Sequence, residues 1–171
     1  IRRAVGEYAR EAGLTFYDLR NKGGFLRNLI IRNTPAGQIM VILVFYKHEK
    51  KAIKKLLGHL DKSFPAITSL MYCINSKAND SLFDQKFILH SGQDHIIENI
   101  EGLKFRIGPK SFFQTNTMQA IELYRKVREF AGLTGKETVY DLYTGTGTIA
   151  LYLAGTATRV IGIENIDEAI R

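Results

Sequence analysis

A chain of 171 residues, 45% hydrophobic and 24% charged, is expected to be a soluble globular protein with room for one core or two small ones. No apolar stretch approaches membrane-spanning length, and the opening IRRAVGEYAREAG is not a signal peptide. A single cysteine excludes an internal disulfide framework and any zinc or iron–sulfur site made only of cysteines. These exclusions point to the cytoplasm, and an opening on Ile1 instead of Met points to a piece of something longer. The net charge of +7 is unevenly placed: residues 1 to 107 carry 17 Lys and Arg against 10 Asp and Glu, and residues 108 to 171 carry 7 against 7.

In chain order, residues 2 to 13 are predicted helical. Phe25 to Arg32 and Gln38 to Tyr46 are β-prone runs joined at Pro35, Ala36 and Gly37, and they read as a hairpin. A helix follows over about 49 to 62, where Ile53, Leu56, Leu57 and Leu60 recur with helical period. That period turns Lys47, Lys50, Lys51, Lys54 and Lys55 toward water. Ile67 to Asn75 is a strand after Pro65, and short strands near 86 to 91, 94 to 100 and 103 to 107 are expected to complete the same sheet. Gly108 and Pro109 break this α+β pattern, which places a domain join near residue 108. A long helix from about Thr117 to Ala131 then leads through Gly132 and Gly135 into a different pattern. There are no internal repeats or low-complexity segments.

Residues 139 to 164 read VYDLYTGTGTIALYLAGTATRVIGIE, a strand, a glycine-rich turn, a helix from Ile149 to Ala154, and a second strand ending on an acid. Gly145 and Gly147 let the backbone turn sharply and let a ligand approach the amides that open the helix. Glu164 follows the glycines by about twenty residues, where a carboxylate can accept from two ribose hydroxyls. Gly145, Gly147 and Ala150 also satisfy the dinucleotide pattern G-x-G-x-x-G/A, so a nicotinamide- or flavin-dependent oxidoreductase stays open at this point, as does a turn that merely closes a strand–helix unit. Asp141 favours a cationic ligand end, the sulfonium and amine of S-adenosylmethionine, over an anionic pyrophosphate. No G-x-x-x-x-G-K-[ST] is present, which argues against a P-loop nucleotidase.

A basic segment beside a neutral cofactor segment suggests that one part holds a polyanion and the other modifies it. A non-catalytic RNA-binding module is the alternative. Lys22, Arg27 and Arg32 are the candidate phosphate contacts. Phe112 and Phe113 could stack on a splayed base or pack in the core. Cys73, inside the apolar run SLMYCIN, reads as a packed small hydrophobe. His48, His59, His90 and His95 lack metal-ligand spacing, so no metal is expected.

The segment FRIGPKSFFQTN (105 to 116), followed by a helix and then by DLYTGTGTIALYLA (141 to 154) and VIGIE (160 to 164), resembles the bacterial RNA (uracil-5-)-methyltransferases, and most of all their 23S rRNA branch. LTFYDLRNKGGFLRNLIIR (14 to 32) extends the likeness over nearly the whole chain. The resemblance implies an α+β central domain over residues 1 to 107, expected to contact RNA, followed by the truncated start of an α/β Rossmann-like methyltransferase domain over 108 to 171. It implies S-adenosylmethionine as cofactor, rRNA as partner, and cofactor contacts from Gln114, Tyr143, Thr148 and Glu164. For Tyr143 and Thr148, core packing and helix capping are the competing roles. Thr144 departs from the cysteine that relatives often carry there. The family's chemistry adds a cysteine thiolate to carbon 6 of uracil, lets the resulting enolate take the methyl group, and removes the carbon 5 proton with a base. In the family those groups lie beyond the second strand, so the nucleophilic cysteine and the base are expected past Arg171, in a region this chain lacks. The fragment is therefore expected to be inactive alone, with exposed strands that can self-associate.

Overall fold

The computed structural model describes residues 1–166. Arg171, the position past which the nucleophilic cysteine and the base are expected, lies outside the described residues. The elements in order are α1 (Arg2–Glu11), β1 (Leu26–Asn33), β2 (Ile39–Phe45), α2 (Lys50–Ser63), β3 (Ser69–Ile74), β4 (Ile88–Gly92), β5 (Ile96–Ile100), β6 (Leu103–Ile107), α3 (Thr117–Ala131), β7 (Thr138–Leu142), α4 (Thr148–Ala154) and β8 (Arg159–Ile163). By packing they divide into two units, the first Ile1–Asn33 with Gly37–Ile96, the second Thr34–Ala36 with the chain from Ile97 onward.

In the first unit β1 and β2 form the expected antiparallel hairpin, with Ile30 opposite Ile42. The helix α2 then carries the chain over so that β3 lies parallel to β2, Met71 beside Ile42, and β4 pairs antiparallel with β3. The sheet order is β1-β2-β3-β4. A strand inside a sheet and covered on both faces reads as one continuous apolar run, and the IMVILVF of β2 does so, Met40 to Phe45 being fully buried. Val5 and Ala9 of α1 and Ile53, Leu56, Leu57 and Leu60 of α2 share a core with Val41, Leu43 and Phe45.

One expectation about this sheet fails. The strands β5 and β6 do not complete it; they make a separate two-stranded sheet. The chain leaves the first sheet at Gly92, whose φ of +78° brings its α-carbon so close to Thr68 that a side chain would begin 2.1 Å from the Thr68 carbonyl oxygen. Alternation in β5 then buries Ile96, Glu98 and Ile100. Ile100 joins Phe105 of β6, Ala120 and Tyr124 of α3 and Tyr152 of α4 in the second core, and the Glu98 carboxylate accepts from the Thr117 hydroxyl at 3.1 Å. The packing division therefore falls at residues 96 and 97, eleven residues before the expected join. It leaves the charge asymmetry as it was, because the first unit carries 15 Lys and Arg against 8 Asp and Glu and the second carries 9 of each.

In the second unit the Asn116 side chain caps α3 by accepting from Gln119 N–H, and Gly132 ends the helix in a left-handed conformation. β7 and β8 run parallel, Tyr140 beside Ile161 and Leu142 beside Ile163. Val139 and Asp141 alternate with these and are half-buried, whereas Tyr140, Leu142 and Ile163 form an apolar face that remains exposed among the described residues.

Candidate cofactor site

The turn from β7 into α4 is built from three consecutive backbone constraints. Thr144 N–H donates to Ile163 O at 3.0 Å, Gly147 N–H to Thr144 O at 2.9 Å, and Leu151 N–H to Gly147 O at 2.8 Å. To close in so few residues the backbone takes φ of +58° at Gly145 and +75° at Gly147, a region that costs other residues about 1–2 kcal/mol. At Gly145 a side chain would meet nothing within 4 Å, so conformation and not crowding selects glycine there, and the turn stays open to a ligand.

Glu164 closes that turn. Its Oε2 accepts from Gly145 N–H at 2.9 Å, and Oε1 accepts from Asn165 N–H at 2.8 Å and Ile166 N–H at 2.9 Å. The Gly145 amide above all, then those of Asn165 and Ile166, holds the carboxyl below the usual glutamate range. An ionised carboxylate has about four acceptor positions, so these amides leave room for a hydroxyl.

Asp141 makes two contacts that the sequence did not predict. Its Oδ2 accepts from the Thr144 hydroxyl at 2.8 Å and from Ala150 N–H at 3.0 Å. The N-cap of α4 is Gly147, which has no side chain to cap with, and Asp141 supplies the oxygen from the neighbouring strand. The carboxylate is thus a fastener for the turn. It occupies an amide of the helix entrance and sets a negative charge where a dinucleotide pyrophosphate would have to sit. Thr144, whose methyl group lies only 3.0 Å from where a side chain on Gly162 would begin, serves the same fastening through its hydroxyl.

Tyr143 is 91% exposed and has a φ of +63°, so core packing does not account for it. With Leu142, Ile163, Glu164 and Asn165 it lines a shallow cavity of about 270 Å³. Thr148 is half-buried, and its hydroxyl accepts from the Tyr124 hydroxyl of α3 at 3.4 Å. Gln114 lies exposed in the segment that enters α3. Sequence reasoning missed the network behind α4: Tyr152 O–H donates to Glu101 Oε2 at 2.6 Å, and Arg125 Nε donates to Glu101 Oε1 at 2.9 Å. Tyr152 looked like one more apolar helix position; only the tertiary fold gives it a carboxylate partner.

Of the three expected RNA contacts, the structure removes Arg27. Its side chain is 1% exposed, donates to the carbonyls of Asn75, Lys77 and Asn79 and to Asp80 Oδ1, and lies 4.5 Å over the Tyr17 ring. It is an internal clamp. Arg32 is half-buried, and burial lowers its pKa. Lys22 is exposed on the loop before β1. The two phenylalanines part ways: Phe113 packs toward the second core, 5.9 Å from the Phe105 ring, and Phe112 is 77% exposed.

Cys73 is fully buried in β3, and burial pushes its thiol up to about 11. Native protein at pH 8 is therefore expected to leave the thiol unmodified by dithiobisnitrobenzoate, and denatured protein to react fully. Rapid labelling of the folded chain would contradict this. Among the described residues no group of three or more His, Cys, Asp or Glu could hold a metal ion, and no helix is long and apolar enough to cross a membrane.

No protein-family model matches the chain. It is 54% identical over 172 residues to an uncharacterized RNA methyltransferase of Porphyromonas gingivalis and 53% identical over 173 residues to one of Bacteroides thetaiotaomicron. Each match covers 99% of this chain and 37% and 38%, respectively, of the relative, so the chain spans little more than a third of their length. Among solved structures it is similar to the Pyrococcus abyssi tRNA (uracil-54, C5)-methyltransferase in complex with S-adenosyl-L-homocysteine, with a TM-score of 0.76 and 27% identity over 98% of this chain and 40% of that one. The chain has a methyltransferase-like α/β fold.

Proposed function

We propose that this chain supplies the cofactor turn and an RNA-holding unit of an S-adenosylmethionine-dependent RNA methyltransferase that acts on carbon 5 of uridine. The observation that carries the reading is the open Gly145 turn clasped by an ionised Glu164, with the exposed, left-handed Tyr143 beside it over the cavity. In this reading Glu164 accepts from a ribose hydroxyl, Tyr143 offers its ring to the cofactor, and the amide of Gln114 addresses the amino-acid end, donating to its carboxylate and accepting from its amine. Gly145 and Gly147 keep the backbone close to the ligand. Asp141 holds the turn and adds negative charge on the side of the sulfonium. Thr148, tied to Tyr124, fixes the helix entrance. The match to a uracil-C5 enzyme solved with the cofactor's product supports the same choice. Asp141 at the helix entrance disfavours the oxidoreductase reading.

The cofactor supplies an electrophilic methyl group, and carbon 5 of uracil becomes nucleophilic only after a thiolate adds to carbon 6. Cys73, the sole cysteine of the sequence, is sealed in a sheet and is no such thiolate. In this reading the thiolate and the base come from sequence past Arg171. The 171 residues alone are therefore expected to bind cofactor without transferring methyl to uridine. Lys22 and Arg32 are the remaining candidates from the sequence for phosphate contact. rRNA is the proposed substrate from the sequence resemblance, and the tRNA named for the Pyrococcus enzyme is the second.

Calorimetric titration of the chain with S-adenosyl-L-homocysteine and with NAD tests the cofactor assignment, and tritiated-methyl incorporation into rRNA and tRNA transcripts tests the absence of turnover. Binding of the first ligand alone is the expected result. A preference for NAD, or carbon 5 methylation by these residues, would overturn it.

A further inference from the structure

The whole charge surplus of the protein lies in the first unit, and its densest run is on α2. With Ile53, Leu56, Leu57 and Leu60 facing the core, a turn of 3.6 residues puts Lys51, Lys54, Lys55, Gly58 and Lys62 on the opposite face. All four lysines are exposed, over a length of about 16 Å at 1.5 Å per residue. Among the described residues none of them has an ion-pair partner.

Two further features make this more than a solvated helix face. Lys51 opposes the helix's own dipole: it shares the first turn with Lys50 and no acid, and Glu49 makes no side-chain cap, whereas Lys62 in the last turn complements that dipole. The dipole therefore accounts for Lys62 but not for Lys51, Lys54 or Lys55. Gly58 sits within the lysine stripe, although glycine is, after proline, the residue least favourable in a helix interior. A side chain there would meet nothing within 4 Å, and its φ lies outside the positive range that demands glycine, so neither packing nor backbone conformation requires it. Its effect is a bare strip of backbone between cations, where another chain can come close. No large apolar residue of α2 is exposed, which leaves the face without the anchors a lipid-bound helix uses.

We infer that the exposed face of α2 is a ridge that binds the RNA sugar–phosphate backbone, with Lys51, Lys54, Lys55 and Lys62 on phosphates and Gly58 at the point of closest approach. The ridge rests on the reading of this protein as one that handles RNA, and it contributes affinity without naming a base.

Fluorescence anisotropy of the chain with a labelled ribosomal stem–loop, repeated over a range of salt, tests it. The K51Q/K54Q/K55Q/K62Q variant is expected to lose at least about tenfold in affinity and to flatten the slope of log K against log salt by about 3, since each phosphate contact contributes roughly 0.7–0.9. Gly58→Gln is expected to raise the melting temperature while weakening RNA binding, a combination that a purely structural glycine would not give. An unchanged affinity and salt slope in the quadruple variant overturns the ridge, as does lysine-dependent binding to phosphatidylserine vesicles with RNA binding unaltered. S-adenosyl-L-homocysteine affinity, measured on the same proteins, reports separately on the cofactor turn: its absence from the unaltered chain overturns the functional reading, whereas its retention beside a failed RNA result overturns only the ridge.

Discussion

Glu164→Gln is expected to weaken S-adenosyl-L-homocysteine binding by about ten- to a hundredfold, the range that follows from 1.5–3 kcal/mol for hydrogen bonds to a charged group. The substitution keeps shape and removes charge. A glutamine amide can accept from Gly145 N–H only through its oxygen, and its nitrogen then faces the Asn165 and Ile166 amides, donor against donor. Both the ribose acceptor and the closure of the glycine turn are weakened together. Calorimetry reads the loss directly, and a variant that binds as tightly as the unaltered chain would remove Glu164 from the site.

The same residue sets an acid limit. The folded-state carboxyl titrates below its ordinary value of 4.5, because the Gly145 amide, then those of Asn165 and Ile166, favours the ionised form. Its contribution is complete above that ordinary value and fades as pH falls through the lower, folded-state value. Cofactor affinity is accordingly expected to be insensitive to Glu164 titration at neutral pH and to decline once the carboxylate takes up its proton. Glu164→Gln should lack that decline.

Arg27→Met is expected to destabilise the first unit by about 3 kcal/mol, the scale for removing one partner of a buried, charge-assisted network. The guanidinium serves three backbone carbonyls and Asp80 from a site that is 1% exposed, and its plane lies over Tyr17. Deleting it leaves the Asn75 and Lys77 carbonyls without their donor and frees the segment that Asn75 also holds, through its side-chain amide to Asn79 O and its oxygen to Lys77 N–H. Arg27→Lys should rescue little, because a point ammonium cannot address four acceptors in the fork geometry of a guanidinium. Urea unfolding with a first-unit probe measures the effect, and cofactor binding on the folded variant should be unchanged. A loss of RNA affinity with stability intact would instead restore the surface role expected from sequence.

Much of the site was legible because glycines and acids at a strand–turn–helix junction have few alternatives. The left-handed conformations at Gly145 and Gly147 follow from how few residues the turn uses, and Glu164 meets it because a parallel strand returns to the same end of the sheet. The role of Asp141 was not legible. The sequence pattern does not show that a carboxylate there fastens a helix, and only the 3.0 Å approach of Ala150 N–H reveals it. Arg27 misled for a related reason, since an arginine in a strand can point to solvent or to a loop folded back from 48 residues away.

By itself the sequence determined the order and type of the elements, the buried stripe of α2, the apolar centre of β2 and the glycine turn, because each depends on residue periodicity or on backbone freedom within a few positions. The tertiary structure alone decided that β5 and β6 leave the first sheet, that Arg27 is internal, and that Tyr152, Glu101 and Arg125 brace α4. Those outcomes depend on which distant groups meet, and local pattern carries no information about partners that long-range packing selects.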